Sequence, residues 1–388
     1  MIAQWILPVL LAQLVVLAVN LWHWRRRREP AGNMATADLP RVSVLIPVRN
    51  ERDRLPTLVQ ALRAQQVKPL EVILCDDNSD DSSREWLQAN LPMHAPGEWL
   101  SWFPAPPKEA DWVGKNWACY HLAGRAQGDW LVFLDADMEL QEDTLHRFMH
   151  TLILHARESS QPDDAPVYLV TAIPTLMASN LLVGLLKALL PFSIFTLLPL
   201  PLAERHPHRA FAFANGQVIA FPRDYYMRVH PHCRVRHVIL EDVALARLVK
   251  SEGAQVRIID GRRLLRVQMY RTLREAIDGF SKNGVAICGS VPGAVAISFA
   301  LAIVYLLPLV EGMARALTAW HGIAWAISVG LFALSAQMAG LPRWYGLLYP
   351  VGLILGEWTL WRSIIWYTRG TVQWKGRTYS LRSGGQAG

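Results

Sequence analysis

Little in this chain points to an exported, disulfide-held protein. Of its 388 residues only four are cysteine (Cys75, Cys119, Cys233 and Cys288), set far apart. They form no C-x-x-C pair and show no zinc-ligand spacing, which excludes a zinc site and a disulfide framework and predicts a reducing compartment for the polar part of the chain. Charge is also scarce: Asp, Glu, Lys and Arg make up 18%, against 52% apolar residues and 16 tryptophans, a balance too apolar for an ordinary soluble protein. No internal repeat or low-complexity tract is present. The length allows one globular domain plus membrane segments.

What is abundant is the long hydrophobic run. Ile2 to Trp24 is apolar apart from Gln4, Gln13, Asn20 and His23, long enough to span a bilayer. Arg25, Arg26, Arg27 and Arg28 follow it, whereas a signal peptide carries its positive charge first; residues 1–24 therefore read as an uncleaved anchor with the N-terminus outside. Trp5, Trp22 and Trp24 fit interfacial belts. Beside such a segment the net charge of +7 is a topology signal against anionic lipid, not a nucleic-acid surface. Residues 25–40 form a basic linker.

Beyond Ser290, the runs Val291–Val310, Trp320–Ala339 and Trp344–Tyr367 predict C-terminal transmembrane helices within 286–368, followed by a basic tail, 369–388, with Arg369, Lys375, Arg377 and Arg382. Three crossings would put that tail outside, while its charge favours inside. The expectation is that one run does not cross, giving a multi-pass protein of the inner membrane with a cytoplasmic tail. Glu357 and Arg362, in the last run, are expected to face protein or the interface. A further apolar stretch, Leu181–Leu202, is interrupted by Pro191, Pro199 and Pro201. A crossing there would put Asp135 and Asp242 on opposite sides of the bilayer, so it reads as an interfacial or re-entrant segment.

From Arg41 to about 285 the texture changes. Val42–Pro47, Leu70–Cys75 and Trp130–Leu134 read as strands; Leu55–Gln66, Ser82–Ala89 and Trp117–Ala126 read as helices. The alternation predicts a mainly parallel sheet covered on both faces, with ligands at the carboxyl ends of the strands. Those ends are loaded with acids: Pro47, Arg49, Asn50 and Glu51 after the first strand, Asp76, Asp77 and Asp80 after the second, Asp135 and Asp137 after the third. Unpaired buried carboxylates cost several kcal/mol, so they are not core. In a strand, positions i and i+2 share a side, and two carboxylates there suit Mg²⁺ or Mn²⁺, which in turn hold phosphates. Together the ends can serve a nucleotide-sugar.

In order and spacing, V-x-V-L-I-P-x-R-N-E at 42–51, D-D-N-S-x-D beginning at Asp76, G-K-N-W-A at 114–118 and D-A-D at 135–137 resemble the family-2 glycosyltransferases of the GT-A fold. Ala214–Gln217, Glu241–Ala246, Gln268–Arg271, Gly279–Asn283 and Trp374–Arg377 are similar to one membrane branch, which includes the bacterial carotenoid glycosyltransferases of the diaponeurosporenoate type. The resemblance implies a GT-A-type sheet flanked by helices in a cytoplasmic catalytic domain, 41–285. It implies donor binding by Pro47, Arg49, Glu51, Asp77, Lys115 and Asp135, and Mg²⁺ or Mn²⁺ on Asp137 and Asp135. Asp242, beside Glu241, stands as general base, with Asn215, Gly216, Gln268 and Arg271 on the acceptor side. The partners implied are a nucleotide-sugar, probed first as UDP-hexose, a lipid-like acceptor and membrane lipids, with no nucleic acid. Thr272 stands where processive synthases have the Trp of Q-x-x-R-W, so transfer of one sugar is expected ahead of the alternative, a processive polysaccharide synthase.

Asp242 also has a case independent of the resemblance. An acceptor hydroxyl must lose a proton as it attacks, and one carboxylate in reach is enough. Glu241 and Asp242 open a helix, where acids are also common for purely local reasons. Lys115 follows Gly114 at a helix start and suits an anionic ligand. His206, His208, His230, His232 and His237 cluster without a matching third metal ligand and are expected at the surface.

Overall fold

The computed structural model describes residues 3–26, 39–158, 166–314, 317–374 and 377–380. Arg27, Arg28, the linker from 29 to 38, Lys375 and Arg382 lie outside the described residues. The chain divides into two compact units: Arg27–Pro174 with Pro201–Val267, and Met1–Arg26 with Thr175–Leu200 and Gln268–Gly388.

The first unit is an α/β sheet. Its strands are β1 (Val42–Val48), β2 (Glu71–Asp76), β3 (Leu100–Pro104), β4 (Trp130–Leu134), β5 (Met138–Leu140), β6 (Val167–Ile173), β7 (Val218–Pro222), β8 (Gln255–Asp260) and β9 (Leu265–Val267). The main sheet runs β3-β2-β1-β4-β7-β6-β8. β1 pairs in parallel with β2 and β4, and β7 runs antiparallel to both β4 and β6. Every residue of β2 and β4 is buried, as a sheet covered on both faces requires. Strand order reverses between β1 and β4, which is where such sheets open a crevice for ligands. The register sets Val42 opposite Trp130 and Leu45 opposite Phe133, so Arg49 and Asp135 emerge at one end. The helix expected from residue 117 begins earlier, at Gly114, and takes Lys115 into its first turn.

The second unit is helical. Among the described residues, three helices are long and apolar enough to cross a membrane: Ile6–Arg26, Val291–Ala314 and Ala319–Met338. The last predicted run splits into a 3₁₀ stretch, Arg343–Leu348, and a helix, Tyr349–Thr368, which is not among those three. Its charges are held within the unit: Arg362 pairs with Asp278 at 2.5 Å and lies over Trp366, and the Glu357 carboxylate accepts from Ser298. Trp22 is exposed, as an interfacial residue would be, but Trp24 is buried edge-on against Phe195, 5.6 Å between centroids.

Segment 181–202 departs from expectation. Leu181–Leu197 is one helix that passes through Pro191, and the chain breaks only at Leu198 and Pro199 before Leu200–Arg205. The break is stabilised by Asn20, which donates to the carbonyls of Phe195 and Leu198 (2.9 Å each) and accepts from the Leu200 N–H (2.7 Å). Pro199 has no N–H for the Phe195 carbonyl, and the buried Asn20 amide takes its place. Within its unit the helix is well packed: Val183 and Leu186 join Ala276 and Ile277 in one apolar cluster, and only Leu181, Leu182 and Leu197 remain exposed among its large apolar residues.

Candidate active site

The loops after β1 and β2 are stitched together by their polar residues. Arg49 donates through Nη1 to the carbonyls of Asp77 (2.8 Å) and Asn78 (2.6 Å). Asn50 and Asn78 take left-handed backbone (φ +54° and +51°), which asparagine tolerates better than most residues. The Asn50 amide exchanges two hydrogen bonds with Asp80, and the Glu51 N–H donates to Ser83 Oγ at 2.9 Å. Asp76 is fully buried against Arg84 (2.8 Å). Asp77 and Glu51 are nearly buried and Pro47 half-buried beside them. Two strand ends thus form one shaped, acid-lined rim.

Across the rim stands Lys115. Its Nζ lies 2.8 Å from Asp135 Oδ1, 2.8 Å from Glu241 Oε1 and 3.1 Å from the Gly216 carbonyl. Asp242 is bound at both oxygens, Oδ2 by the Gly216 N–H (3.0 Å) and Oδ1 by the Val243 N–H (2.8 Å). Thr171 Oγ1 accepts from the Asn215 N–H at 2.9 Å and lies 3.0 Å from its carbonyl, and Asn215 Oδ1 in turn accepts from the Gln217 N–H. A Cβ on Gly216 would stand 3.1 Å from Asp242 Oδ2 and 3.3 Å from Glu241 Oε1, so glycine is what lets this loop reach the acids.

The electrostatics follow from crowding. Desolvation alone would pull the Lys115 ammonium down, but Asp135 and Glu241 outweigh it and hold it well above its ordinary value. Burial pushes the Asp135 carboxyl up, against the opposing pull of Lys115. Burial, reinforced by Glu241, pushes Asp242 up to about 6. Lys115 thus bridges Asp135 and Glu241, while Asp242 beside them is held by backbone N–H groups.

Asp135 and Asp137 lie beyond β4, in a turn closed by the Met138 N–H on the Asp135 carbonyl (3.3 Å), and not in the strand whose periodicity would set them on one side. Strand pairing ends at Leu134, opposite Val218. Among the described residues no three or more His, Cys, Asp or Glu side chains converge as a metal cage. The hard carboxylate oxygens of Asp135 and Asp137 fit Mg²⁺ or Mn²⁺, ions that complete their shell with phosphate oxygens and water.

Gln268 and Arg271 belong to the helical unit, and Thr272 is a helix N-cap there, its Oγ1 accepting from the Glu275 N–H at 3.2 Å. His206, His208, His230 and His237 are exposed, but His232 is buried, its Nδ1 2.8 Å from Tyr226 Oη and its ring against Phe133. Burial pushes His232 down to about 3, so it stands neutral behind the acids. Sequence reasoning passed over Asn116, inside G-K-N-W-A, which is completely buried and bonded to three carbonyls of the loop before Glu241.

Residues 43–157 match the family described as glycosyl transferase family 2. Over 108 residues, 26% of this chain and 25% of the relative, the chain is 34% identical to a 4,4'-diaponeurosporenoate glycosyltransferase of Staphylococcus haemolyticus. Over 247 residues, 62% of this chain and 60% of the relative, it is 22% identical to the protein of that name from Staphylococcus aureus. The chain thus spans less than two thirds of either relative's length. Among solved structures, the mannosyltransferase PcManGT from Pyrobaculum calidifontis, in complex with GDP-Man and Mn²⁺, matches 92% of this chain and 97% of its own, with a TM-score of 0.50 and 16% identity, a likeness of fold. The chain is therefore similar over residues 43–157, Lys115, Asp135 and Asp137 among them, to glycosyl transferase family 2, and it is similar to the diaponeurosporenoate glycosyltransferases, on a GT-A-type fold.

Proposed function

We propose that the chain transfers one hexose from a nucleotide-sugar, UDP-hexose in the first instance, to a hydroxyl or carboxylate of a lipid or isoprenoid acceptor, with inversion at the anomeric carbon. The observation that carries this reading is the Lys115–Asp135–Glu241–Asp242 cluster at the strand-order reversal of a family-2 domain. Pro47, Arg49, Glu51 and Asp77 line the place for the nucleoside. Asp137 with Asp135 would hold Mg²⁺ or Mn²⁺, which supplies charge neutralisation for the diphosphate. Asp242, fixed by two backbone N–H groups, takes the proton of an acceptor hydroxyl as its oxygen bonds to the anomeric carbon. The bond from that carbon to the diphosphate oxygen breaks, and the nucleoside diphosphate leaves with the electron pair. Displacement in one step inverts the centre and needs no covalent enzyme intermediate. Asn215, Gly216, Gln268 and Arg271 are assigned to the acceptor side.

The same reading gives a domain plan and a topology. Residues 1–24 anchor, 41–285 act in the cytoplasm, and 286–368 return to the inner membrane. With Arg25 and Arg26 on the cytoplasmic side, crossings at Val291–Ala314 and Ala319–Met338 bring the basic tail back to that side, because Tyr349–Thr368 is not counted as a third.

The experiment is lipid extraction from membranes containing the chain after incubation with radiolabelled UDP-glucose and, in parallel, GDP-mannose. Label should enter the lipid phase as a single sugar, vanish in EDTA and return with Mn²⁺ or Mg²⁺. Full activity in chelator would overturn the metal assignment. A long soluble polymer would overturn single transfer in favour of processive synthesis.

A further inference from the structure

We propose that Asn116 is a positioning residue: by gathering three carbonyls of the loop that precedes Glu241, it fixes where the Glu241–Asp242 pair stands relative to Lys115. The consequence for turnover rests on the glycosyltransferase reading of that pair; the consequence for the loop does not.

Asn116 has no exposed surface. Its Nδ2 donates to the carbonyls of Val235 (2.9 Å), Val238 (3.1 Å) and Arg236 (3.3 Å). Two amide hydrogens serve three acceptors, so one is shared. Its Oδ1 is buried with no hydrogen-bond partner. A polar core residue kept for its own satisfaction would pair both ends; here only the donor end is used, and the orphaned acceptor is the tolerated cost. No other residue of this size offers two hydrogens from one atom without a charge.

The loop it holds connects the short helix Pro231–Arg234 to the helix Glu241–Ser251. The loop is also tied to the Lys115 side by the Val113 N–H on the Arg236 carbonyl (2.7 Å) and by Arg236 on Asp111 (2.5 Å), the latter exposed. Lys115 itself grips Glu241. Two consecutive residues of one helical turn therefore hold the segment at both ends, Asn116 at 235–238 and Lys115 at 241. Slippage at the first end would draw Asp242 off the Gly216 N–H.

The test uses the full chain in detergent. Asn116→Asp keeps the shape and turns a donor into a third-party repeller of three carbonyls; Asn116→Ser keeps a weak donor and should fall between. Hydrogen–deuterium exchange of the amides from 235 to 243 should speed up by at least about tenfold in Asn116→Asp, with β1 as protected as before. Hydrolysis of UDP-glucose, with water as acceptor and Mn²⁺ present, should fall by about 10²-fold, with half-saturating donor changed by less than about threefold. Unchanged exchange at 235–243 overturns the proposal. So does equal loss of protection in β1, which would make Asn116 a residue of the fold at large. If the unaltered chain hydrolyses no UDP-glucose, the donor assignment fails, and the exchange measurement still decides the role of Asn116.

Discussion

The sheet unit and the helical unit both hold polar groups inside, and the partners differ in kind. In the helical unit several are closed by backbone groups or a neutral side chain: Asn20 by three backbone groups, Lys187 by the Met177 carbonyl at 2.6 Å, Gln13 by Tyr305. In the sheet unit Asp135 and Glu241 share the Lys115 ammonium, and Asp242 beside them is crowded by Glu241 and pushed up to about 6. Interiors tolerate a satisfied polar group as structure, whereas an incompletely compensated cluster is costly unless a ligand completes it. The contrast separates residues that hold the molecule together from residues held for chemistry.

The contrast breaks most visibly at Lys115. Lys115→Met removes the cation that bridges Asp135 and Glu241, so transfer should fall by about 10²-fold or more, the scale of losing one preorganised electrostatic partner. Radiolabel incorporation into lipid measures it; near-normal turnover would mean that the cluster is structural after all. Next comes Asp242→Asn, expected to lower transfer to a hydroxyl by about 10²-fold while UDP still binds. A carboxylate acceptor, already ionised, should suffer less, so the size of the loss reports the acceptor's chemistry. Should Glu241→Gln be the dead variant and Asp242→Asn active, the base is the wrong acid.

The pH profile follows with a definite sign. Asp242 is pushed up to about 6 by burial and Glu241, and it accepts a proton only when ionised. Transfer to a hydroxyl should therefore be full above that value and fall as pH drops through it, giving an acid limb near 6 in the rate at saturating donor. A limb near the ordinary carboxylate range would mean that the cluster is less crowded in solution.

Much of this site was legible in the sequence because its residues sit at strand ends, where an apolar run stops and acids begin. Pro47, Arg49, Asp77 and Asp135 are read that way, whereas Asp242 opens a helix and is singled out by the resemblance and by the need for a base. What stayed hidden depends on contacts between distant segments. β6 and β7 end in Ile173 and Pro222, β8 ends in Asp260 but pairs it with Arg262 at 2.6 Å, and β7 runs antiparallel between β4 and β6. Asn116 looked like one letter of a motif, since its three partners lie over a hundred residues away. The helix Leu181–Leu197 runs through Pro191 and stops only at Leu198, where Asn20, 175 residues from Phe195 in the chain, donates to the carbonyls of Phe195 and Leu198. Periodicity also misplaced Asp135 and Asp137, which obey a turn once ladder pairing has ended.

Glycine offers the same substitution in both units. A Cβ on Gly284 would meet Ser363 Cβ at 2.9 Å and Oγ at 3.1 Å, the hydroxyl that accepts the Val285 N–H. Gly284→Ala should therefore destabilise the helical unit by about 1–3 kcal/mol, the usual cost of overpacking, seen as a lower Tm in detergent with UDP binding intact. Gly216→Ala presses on Asp242 and Glu241 instead. It should lower turnover by about tenfold, since displaced catalytic groups lose geometry before stability, with Tm nearly unchanged. Equal effects of the two variants on both measurements would erase the distinction between the units.

The smallest expected effect is at Thr272. In processive synthases the Q-x-x-R-W pattern carries Trp at this place; here the hydroxyl caps the Leu273–Cys288 helix, and Glu275 Oε2 accepts from the Arg271 N–H at 3.0 Å. Each side chain therefore closes one backbone donor left open by the helix start. Thr272→Ala removes one of the two and should cost about 1 kcal/mol, a shift of a few degrees in Tm. Single-sugar transfer should persist, because the donor-side acids lie in the other unit. Thr272→Trp loses the same cap and restores the letter of the motif. If it makes the product a polymer, the residue at 272 decides chain length; if it only lowers Tm as the alanine does, threonine stands there to start a helix, and single transfer must be set elsewhere in the acceptor path.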